Sequence, residues 1–181
     1  MQIIKTELPG VIILEPQVFA DSRGWFMESW SEKKMQEMGM NYNFAQDNHS
    51  FSAKKGTLRG IHFQNNPYAQ TKLVRCTCGA VLDVAIDLRK ESKTYKKWIS
   101  VELSAENKRQ LLIPAGFGHG FICLTDHTEF IYKVDKPYNA TADRSIRWND
   151  PELAINWQEK NPILSEKDAT APFLEDSDCN Y

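Results

Sequence analysis

The sequence predicts an all-β sandwich or barrel with a few short helices, placed mainly in the C-terminal part of the chain. Most apolar residues fall in short runs that glycine, proline and polar turn residues separate. After residue 150 this spacing gives way to sequences typical of helix starts. At 181 residues, we expect one domain spanning residues 1–181, and a domain of this size buries about 70% of its unfolded surface.

The predicted strands are short apolar runs with turn residues at their ends. They lie at residues 3–4, 11–14, 43–46, 58–64, 72–78, 81–88, 98–103, 110–113, 119–123 and 129–134. Pro9 and Gly10 supply the first turn. The polar end of the chain, residues 176–178, is expected to fray.

Helix signals are few. Ser31 suits the N-cap of a short helix that Gly39 ends in a left-handed conformation. Asp150, with proline at the first helical position, predicts a second start. Ser165 and Asp168 have the spacing of a capping box and predict a third.

Two of the predicted strands, residues 72–78 and 81–88, are expected to form a hairpin. Gly79 followed by Ala80 suits a type II′ turn, and strand side chains alternate between faces. One face of this hairpin carries Lys72, Val74, Cys76, Asp83 and Ala85. The other face carries Leu82, Val84, Ile86 and Leu88. An acid beside Lys72 is unusual if the first face is a plain core.

The composition excludes several classes of protein. With 24 acids against 22 bases, the net charge is −2, which gives no support for nucleic-acid or polybasic membrane binding. No apolar stretch approaches the roughly 20 residues that a bilayer crossing needs, and no signal sequence is evident. Four cysteines are too few for a disulfide scaffold. We expect a cytoplasmic protein that binds neither nucleic acid nor membrane.

The segment 58–64 is an unusual strand, because it carries His62 among leucine, isoleucine and phenylalanine. A histidine beside an apolar interior has to be hydrogen-bonded, neutral or functional. Gly60 inside the strand favours a bulge or a close approach of ligand or backbone. Regular alternation sets His62 and Gln64 on the face opposite Arg59.

The candidate chemistry is acid–base catalysis by His62 with Tyr132. Imidazole titrates near pH ~6.5 and suits a general base, whereas a phenol of pKa ~10 stays protonated and can donate. The surrounding candidates, which could stabilise an enolate or hold phosphates, are Arg23, Arg59, Lys72 and His119. No metal site is predicted, because the histidines stand singly and no His-x-His pair occurs. Spacing alone also allows a satisfied surface histidine.

Six segments, in order, resemble the dTDP-4-dehydrorhamnose 3,5-epimerase family of the cupin superfamily. They are QDNHS at 46–50, LRGIHFQ at 58–64, DVAIDLR at 83–89, IPAGFGHGF at 113–121, IRWNDP at 146–151 and LSEKD at 164–168. The resemblance implies a jelly-roll β-barrel, a homodimer, and an isomerase without metal or cofactor. It also implies inversion of C3 and C5 of dTDP-4-dehydro-6-deoxy-glucose through enolates, in dTDP-L-rhamnose biosynthesis.

The resemblance also implies residue roles. His62 would be the base, Asp168 would orient it, Tyr132 would be the acid on the opposite face, and Lys72 would stabilise the enolate oxygen. Substrate-binding positions would be Arg23, Glu28, Gln46, Asp47, Asn48, Arg59, His119, Tyr138, Asp143 and Lys167. Of these, Tyr138 would stack on thymine, and Asp143 stands where the family often has Glu. Since these roles need Arg59 and His62 in one site, we expect a bulge at Gly60.

Three alternatives stay open at this point. An epimerase acting at C3 only would share most of these motifs. A non-catalytic cupin that binds sugar nucleotides would keep the binding residues without proton transfer. A metal-dependent cupin would require bound metal, which the scattered histidines do not predict.

Overall fold

The computed structural model describes residues 1–181, and antiparallel strands make up nearly all of its regular structure. The strands are β1 Gln2–Lys5, β2 Ile12–Glu15, β3 Val18–Asp21, β4 Gly24–Met27, β5 Gln46–Ser52, β6 Leu58–Gln64, β7 Lys72–Cys78, β8 Ala80–Asp87, β9 Trp98–Ser104, β10 Gln110–Ile113, β11 Phe117–Cys123, β12 Thr128–Val134 and β13 Asp143–Ser145. The helices are α1 Glu32–Glu37 and α2 Glu166–Ala169, followed by a 3-10 turn at Leu174–Asp176. None of these helices has the length and apolar character that a bilayer crossing requires.

The strands form two sheets that face each other across an apolar core. One sheet has six strands in the order β1-β2-β10-β7-β12-β5, and the other has five in the order β13-β6-β11-β8-β9. Residues from both sheets, such as Val74 on β7 and Ala85 on β8, meet in one buried cluster. A second cluster lies on the outer side of the five-stranded sheet, where Leu153 and Trp157 of the C-terminal segment cover it. The predicted all-β, cupin-like fold is confirmed.

The predicted hairpin of residues 72–78 with 81–88 is wrong, because β7 and β8 belong to different sheets. β7 pairs with β10 and β12, whereas β8 pairs with β9 and β11. Gly79, at φ +74°, turns the chain from one sheet into the other. The predicted faces are right, since Val74, Cys76 and Ala85 share the inner core. Alternation determines the face that a side chain takes but not the neighbour of its strand.

Two of the three predicted helix starts are confirmed. The Ser31 hydroxyl caps α1 and the Ser165 hydroxyl caps α2, each accepting from a backbone N–H of the first turn. The start predicted at Asp150 is wrong. Its carboxylate does accept from the following backbone, but Ala154 takes a left-handed φ of +46°, so only a turn forms.

Two segment ends differ from prediction. The strand expected near residues 43–46 begins only at Gln46. The end of the chain is tied down instead of fraying, because Arg144 Nε donates to Asp178 Oδ1 at 2.7 Å. Asn180 also exchanges hydrogen bonds with the loop that follows β6. Side chains far apart in sequence supply these contacts, so the local composition gave no sign of them.

Strands β3 and β4 form a separate two-stranded hairpin outside both large sheets. Three of its aromatic side chains are largely exposed: Phe19 at 55%, Trp25 at 57% and Phe26 at 68%. Arg23 lies at its turn and pairs with Asp21. Phe19 and Phe26 pair across the two strands and so share one face, and an exposed apolar pair of this size is typical of a protein interface.

Strand β6 departs from regular pairing at Gly60, where the sequence predicts a bulge. His62 lies opposite His119 on β11, but Arg59 lies opposite Phe121, so β6 uses one more residue than β11 between these pairs. The extra residue brings Arg59 and His62 to the same cavity. The predicted bulge is confirmed.

Replacing Gly60 by alanine is expected to lower the free energy of unfolding by about 2 to 5 kcal/mol. The added Cβ would lie 2.5 Å from Gly120 Cα and 2.8 Å from the His119 carbonyl oxygen, at a φ of +129°. Chemical denaturation measures the loss. Gly24→Ala is the matched control, because its φ is +134° but no atom lies within 4 Å of the new Cβ. Equal losses in the two variants would contradict the packing argument.

Candidate active site

A cavity of about 560 Å³ opens between the two sheets beside α2. Its walls come from β6 and β11 of one sheet and from β7 and β12 of the other. The predicted site residues that line it are Arg59, His62, Lys72, His119, Tyr132, Tyr138, Asp143, Lys167 and Asp168. The fold therefore gathers side chains that the sequence spreads over more than a hundred positions.

His62 is held by a carboxylate from α2, since its Nε2 lies 2.6 Å from Oδ1 of Asp168. Burial by itself would raise the pKa of Asp168, but hydrogen bonds from His62 and Ser165 hold this pKa below its ordinary value. An ionised carboxylate only accepts, so Nε2 carries the proton. Nδ1 is then the nitrogen that can take up another proton. The His62 side chain is 33% exposed and lies in the cavity wall.

Tyr132 reaches the same cavity from β12, in the sheet that faces the one with His62. Burial raises the pKa of Tyr132, and the nearby Arg59 charge offsets this only in part. Its hydroxyl is therefore protonated at neutral pH and can donate. A potential proton acceptor and a potential proton donor thus lie on opposite walls.

Lys72 is buried on β7, and Nζ lies 3.4 Å from the carbonyl oxygen of His62. It makes no ion pair with a carboxylate. Burial lowers the pKa of Lys72 to about 8, although the charges of Asp143 and Asp83 act in the opposite direction. The side chain can therefore lose its proton within a modest rise in pH.

His119 and Asp83 form a second buried pair, with Nε2 of His119 2.9 Å from Oδ2 of Asp83. Burial lowers the pKa of His119, against the opposing effect of Asp83. Oδ1 of Asp83 has no hydrogen-bond partner. Asp83, the acid that the sequence places on the same face as Lys72, thus fixes His119 in the cavity wall. No group of three or more His, Cys, Asp or Glu side chains is arranged to hold a metal ion.

Cations and an aromatic ring also line the cavity. Oδ2 of Asp143 accepts from Lys167 Nζ at 2.5 Å and from the Tyr138 hydroxyl at 3.3 Å. The shorter acid at this position therefore still joins both groups. Arg59 binds only neutral oxygens, the Ser52 hydroxyl at 3.2 Å and a β5 carbonyl. Its charge is free to meet an anion.

Three predicted site residues lie on β5 outside the cavity lining. Gln46 Oε1 accepts from the Tyr138 backbone N–H at 3.1 Å, and Gln46 Nε2 donates to Asn48 Oδ1 at 2.8 Å. Asp47 points to the other side of the strand and pairs with Lys133 at 2.8 Å. Gln46 thus touches the cavity through Tyr138, while Asp47 does not, and its proposed contact stays a prediction.

The two remaining predicted residues, Arg23 and Glu28, do not line the cavity either. Arg23 pairs with Asp21 at 2.6 Å and Glu28 pairs with Lys34 at 2.9 Å, both on exposed surface. Within one chain, the structure does not bring them to the other site residues.

Several polar lining residues were not selected from the sequence. They are Ser50, Thr57, Gln64, Gln70 and Ser165. A signal existed for two of them, because residues two apart on a strand share a face. Gln64 follows His62 by two positions, and Ser50 follows Asn48 by two positions.

Comparison with known proteins gives concordant matches over nearly the whole chain. A family model described as dTDP-4-dehydrorhamnose 3,5-epimerase matches residues 5–176. A protein of that name from Shigella flexneri is 53% identical over 179 residues, covering 98% of each chain. A crystal structure of a Bacillus anthracis dTDP-4-dehydrorhamnose 3,5-epimerase with TDP and PPi bound has a TM-score of 0.94 and 50% identity, covering 96% of this chain and 99% of that one.

A second solved structure carries a sugar nucleotide. It is a dTDP-6-deoxy-D-glucose-3,5-epimerase from Legionella pneumophila in complex with dTDP-4-keto-L-rhamnose. It has a TM-score of 0.93 and 43% identity, and the match covers 98% of this chain and 94% of that one. Sequence and fold thus agree along nearly the whole chain.

Proposed function

Because the chain belongs to the dTDP-4-dehydrorhamnose 3,5-epimerase family, we propose that it inverts C3 and C5 of dTDP-4-dehydro-6-deoxy-glucose in dTDP-L-rhamnose biosynthesis. It is an isomerase, as its relatives are. One observation carries the proposal: a carboxylate-held His62 and a protonated Tyr132 reach one cavity from facing sheets. Inversion needs a proton to leave one face of a carbon and another to arrive on the opposite face.

The proposed mechanism uses the acidity of carbons next to the C4 ketone. Nδ1 of His62 takes the proton from C3 or C5, and the C–H electron pair passes into an enolate on the C4 oxygen. The Lys72 ammonium stabilises that oxygen. Tyr132 then donates a proton to the opposite face of the carbon. Both groups return to their starting states by proton exchange with water, so the reaction consumes no cofactor.

The nucleotide is proposed to bind to the cations and the aromatic ring that line the cavity. Arg59, without an acidic partner, and Lys167 suit the diphosphate, while the exposed Tyr138 ring suits stacking on thymine. Asp143 holds Lys167 and Tyr138 together. Gln46, which supports the Tyr138 backbone, is proposed to contact the nucleotide with Asn48, and His119 to contact the sugar.

Activity is expected to fall as the pH rises through about 8, because Lys72 then loses the charge that stabilises the enolate. A pH profile of kcat/KM measures this limb, and Lys72→Arg should lack it, because guanidinium stays charged. The loss of activity cannot result from unfolding caused by deprotonation of Lys72. With the folded pKa below the unfolded value of 10.5, the unfolded chain binds more protons between pH ~8 and ~10.5. The Lys72 contribution therefore makes the fold more stable as the pH rises there.

We also propose a homodimer in which the β3–β4 hairpin covers the partner chain. The exposed Phe19, Trp25 and Phe26 support it. Arg23 and Glu28 would then complete the partner's nucleotide site, which explains their distance from the cavity in their own chain. The four free cysteines and a sugar-nucleotide substrate favour a cytoplasmic location.

Phe26→Glu is expected to convert the dimer to a monomer and to raise KM. The side chain is 68% exposed in the single chain, so the charge does not disturb the fold but opposes burial in an interface. Light scattering measures the mass and circular dichroism the fold. An unchanged dimer with unchanged KM would exclude this interface.

The test of the reaction is isotopic. The enzyme and dTDP-4-dehydro-6-deoxy-glucose are incubated in deuterated water, and deuterium is counted at C3 and C5 of the product. Label at both carbons is expected. Label at C3 alone would instead identify a 3-epimerase, and binding without any exchange would identify a sugar-nucleotide-binding protein.

A further inference from the structure

Gln64 is buried at the end of β6, and its side chain lines the cavity that also holds His62. The nitrogen and the oxygen of its side-chain amide both form hydrogen bonds to backbone groups. Nε2 donates to the carbonyl oxygen of Tyr68 at 2.8 Å and to that of Pro137 at 3.4 Å. Oε1 accepts from the Asn139 N–H at 2.7 Å. A buried amide whose donor and acceptor are both used in this way fixes the loops to which it is bonded.

The amide of Gln64 binds the backbone on both sides of Tyr138. Pro137 and Asn139 are its two chain neighbours, so Gln64 holds the peptide groups on both sides of the ring. The ring itself is 59% exposed, and its own side-chain bond is the hydroxyl contact to Asp143. An exposed ring on a loop loses orientational freedom on binding unless its backbone is already fixed.

Gln64 is in turn anchored through its backbone. Its carbonyl oxygen accepts from the Tyr181 hydroxyl, and it pairs with Asp143 across β6 and β13. The Tyr181 ring also packs on Phe63, with centroids 5.7 Å apart. These contacts fix the end of β6, the strand that carries His62, and Gln64 joins this end to the loop that carries Tyr138.

We propose that Gln64 is a positioning residue that pre-organises the Tyr138 ring for the nucleobase, an inference that rests on the proposed role of Tyr138. Gln64 acts on nucleotide affinity and not on proton transfer, because its amide holds the loop rather than the reacting carbons. Removing the amide bonds lets the loop sample other orientations, and the nucleotide has to restore the order on binding.

The test is Gln64→Met, which keeps the length and the unbranched stem but removes the amide donor and acceptor. Isothermal titration with dTDP gives the dissociation constant, and steady-state kinetics give KM and kcat. Loss of the amide bonds is expected to raise both the dissociation constant and KM about tenfold, while kcat stays within about twofold. Thr94→Val is the matched control. It removes a 2.6 Å hydrogen bond to the buried Asp87 on β8 and is expected to lower Tm without changing dTDP affinity.

A double variant decides whether Gln64 acts through the ring. With Tyr138→Ala already present, Gln64→Met is expected to weaken dTDP binding by less than about twofold. An unchanged affinity in the single variant would overturn the proposal, and so would a full tenfold loss in the Tyr138→Ala background. The proposed reaction is tested apart from this, because deuterium exchange at saturating substrate persists in Gln64→Met whichever way the affinities fall.

Discussion

His62→Asn is expected to lower kcat by about 10²- to 10⁴-fold, the usual effect of removing a general base. Deuterium should then fail to enter C3 and C5 of the substrate, because the other carboxylate-paired histidine of the cavity, His119, has a side chain only 7% exposed, against 33% for His62. Substrate binding should persist, since the cavity cations Arg59 and Lys167 are untouched. Mass spectrometry of the recovered sugar nucleotide measures the exchange.

The matched control for this variant is His127→Asn. His127 lies outside the cavity, stacked on Phe51 with centroids 6.2 Å apart. Its φ is +51°, a conformation that asparagine tolerates. Wild-type exchange is expected in this control. Full exchange in His62→Asn would refute the assignment of the base.

Tyr132→Phe is expected to lower the rate of inversion by about 10²- to 10⁴-fold while leaving proton exchange in place. His62 can still remove a proton and return a deuteron to the same face, so label should enter with retained configuration. NMR of the product in deuterated water distinguishes retention from inversion. This outcome is specific to a donor on the opposite wall, because loss of the base would abolish exchange altogether.

Tyr95→Phe provides the control for the lost hydroxyl. Tyr95 lies away from the cavity, with the Lys96 ammonium 5.0 Å from its ring centroid, and its variant should epimerise at the wild-type rate. Inversion at the wild-type rate in Tyr132→Phe would transfer the acid role to another group.

Alternation and turn chemistry predicted much of the fold. The inner face of β7 and β8 was right residue by residue, yet the two strands lie in opposite sheets. A period of two carries information about faces and none about partners. The failed helix at Asp150 has a related cause, because the cap is present but a left-handed Ala154 ends the turn. Tertiary context, which a local pattern does not contain, decided both.

The catalytic candidates were predictable in part. The resemblance supplied the roles of His62 and Tyr132, and the geometry of Gly60 followed from requiring Arg59 and His62 in one site. Gln64 was overlooked, because its role depends on hydrogen bonds to the loop around Tyr138, which is distant in sequence. No single chain could explain Arg23, since its proposed site belongs to a second copy.

His62 and Tyr132 lie on different sheets, so the packing of the apolar core between these sheets affects the distance between the two side chains. In the proposed mechanism, the separation of His62 from Tyr132 depends on the spacing of the two sheets, since each residue is fixed to its own sheet. Phe121 and Phe130, one from each sheet, stack there with centroids 4.2 Å apart. These rings pack between the two sheets and help to set their spacing. A substitution that changes the packing of Phe121 on Phe130 would therefore shift the proposed base relative to the proposed acid.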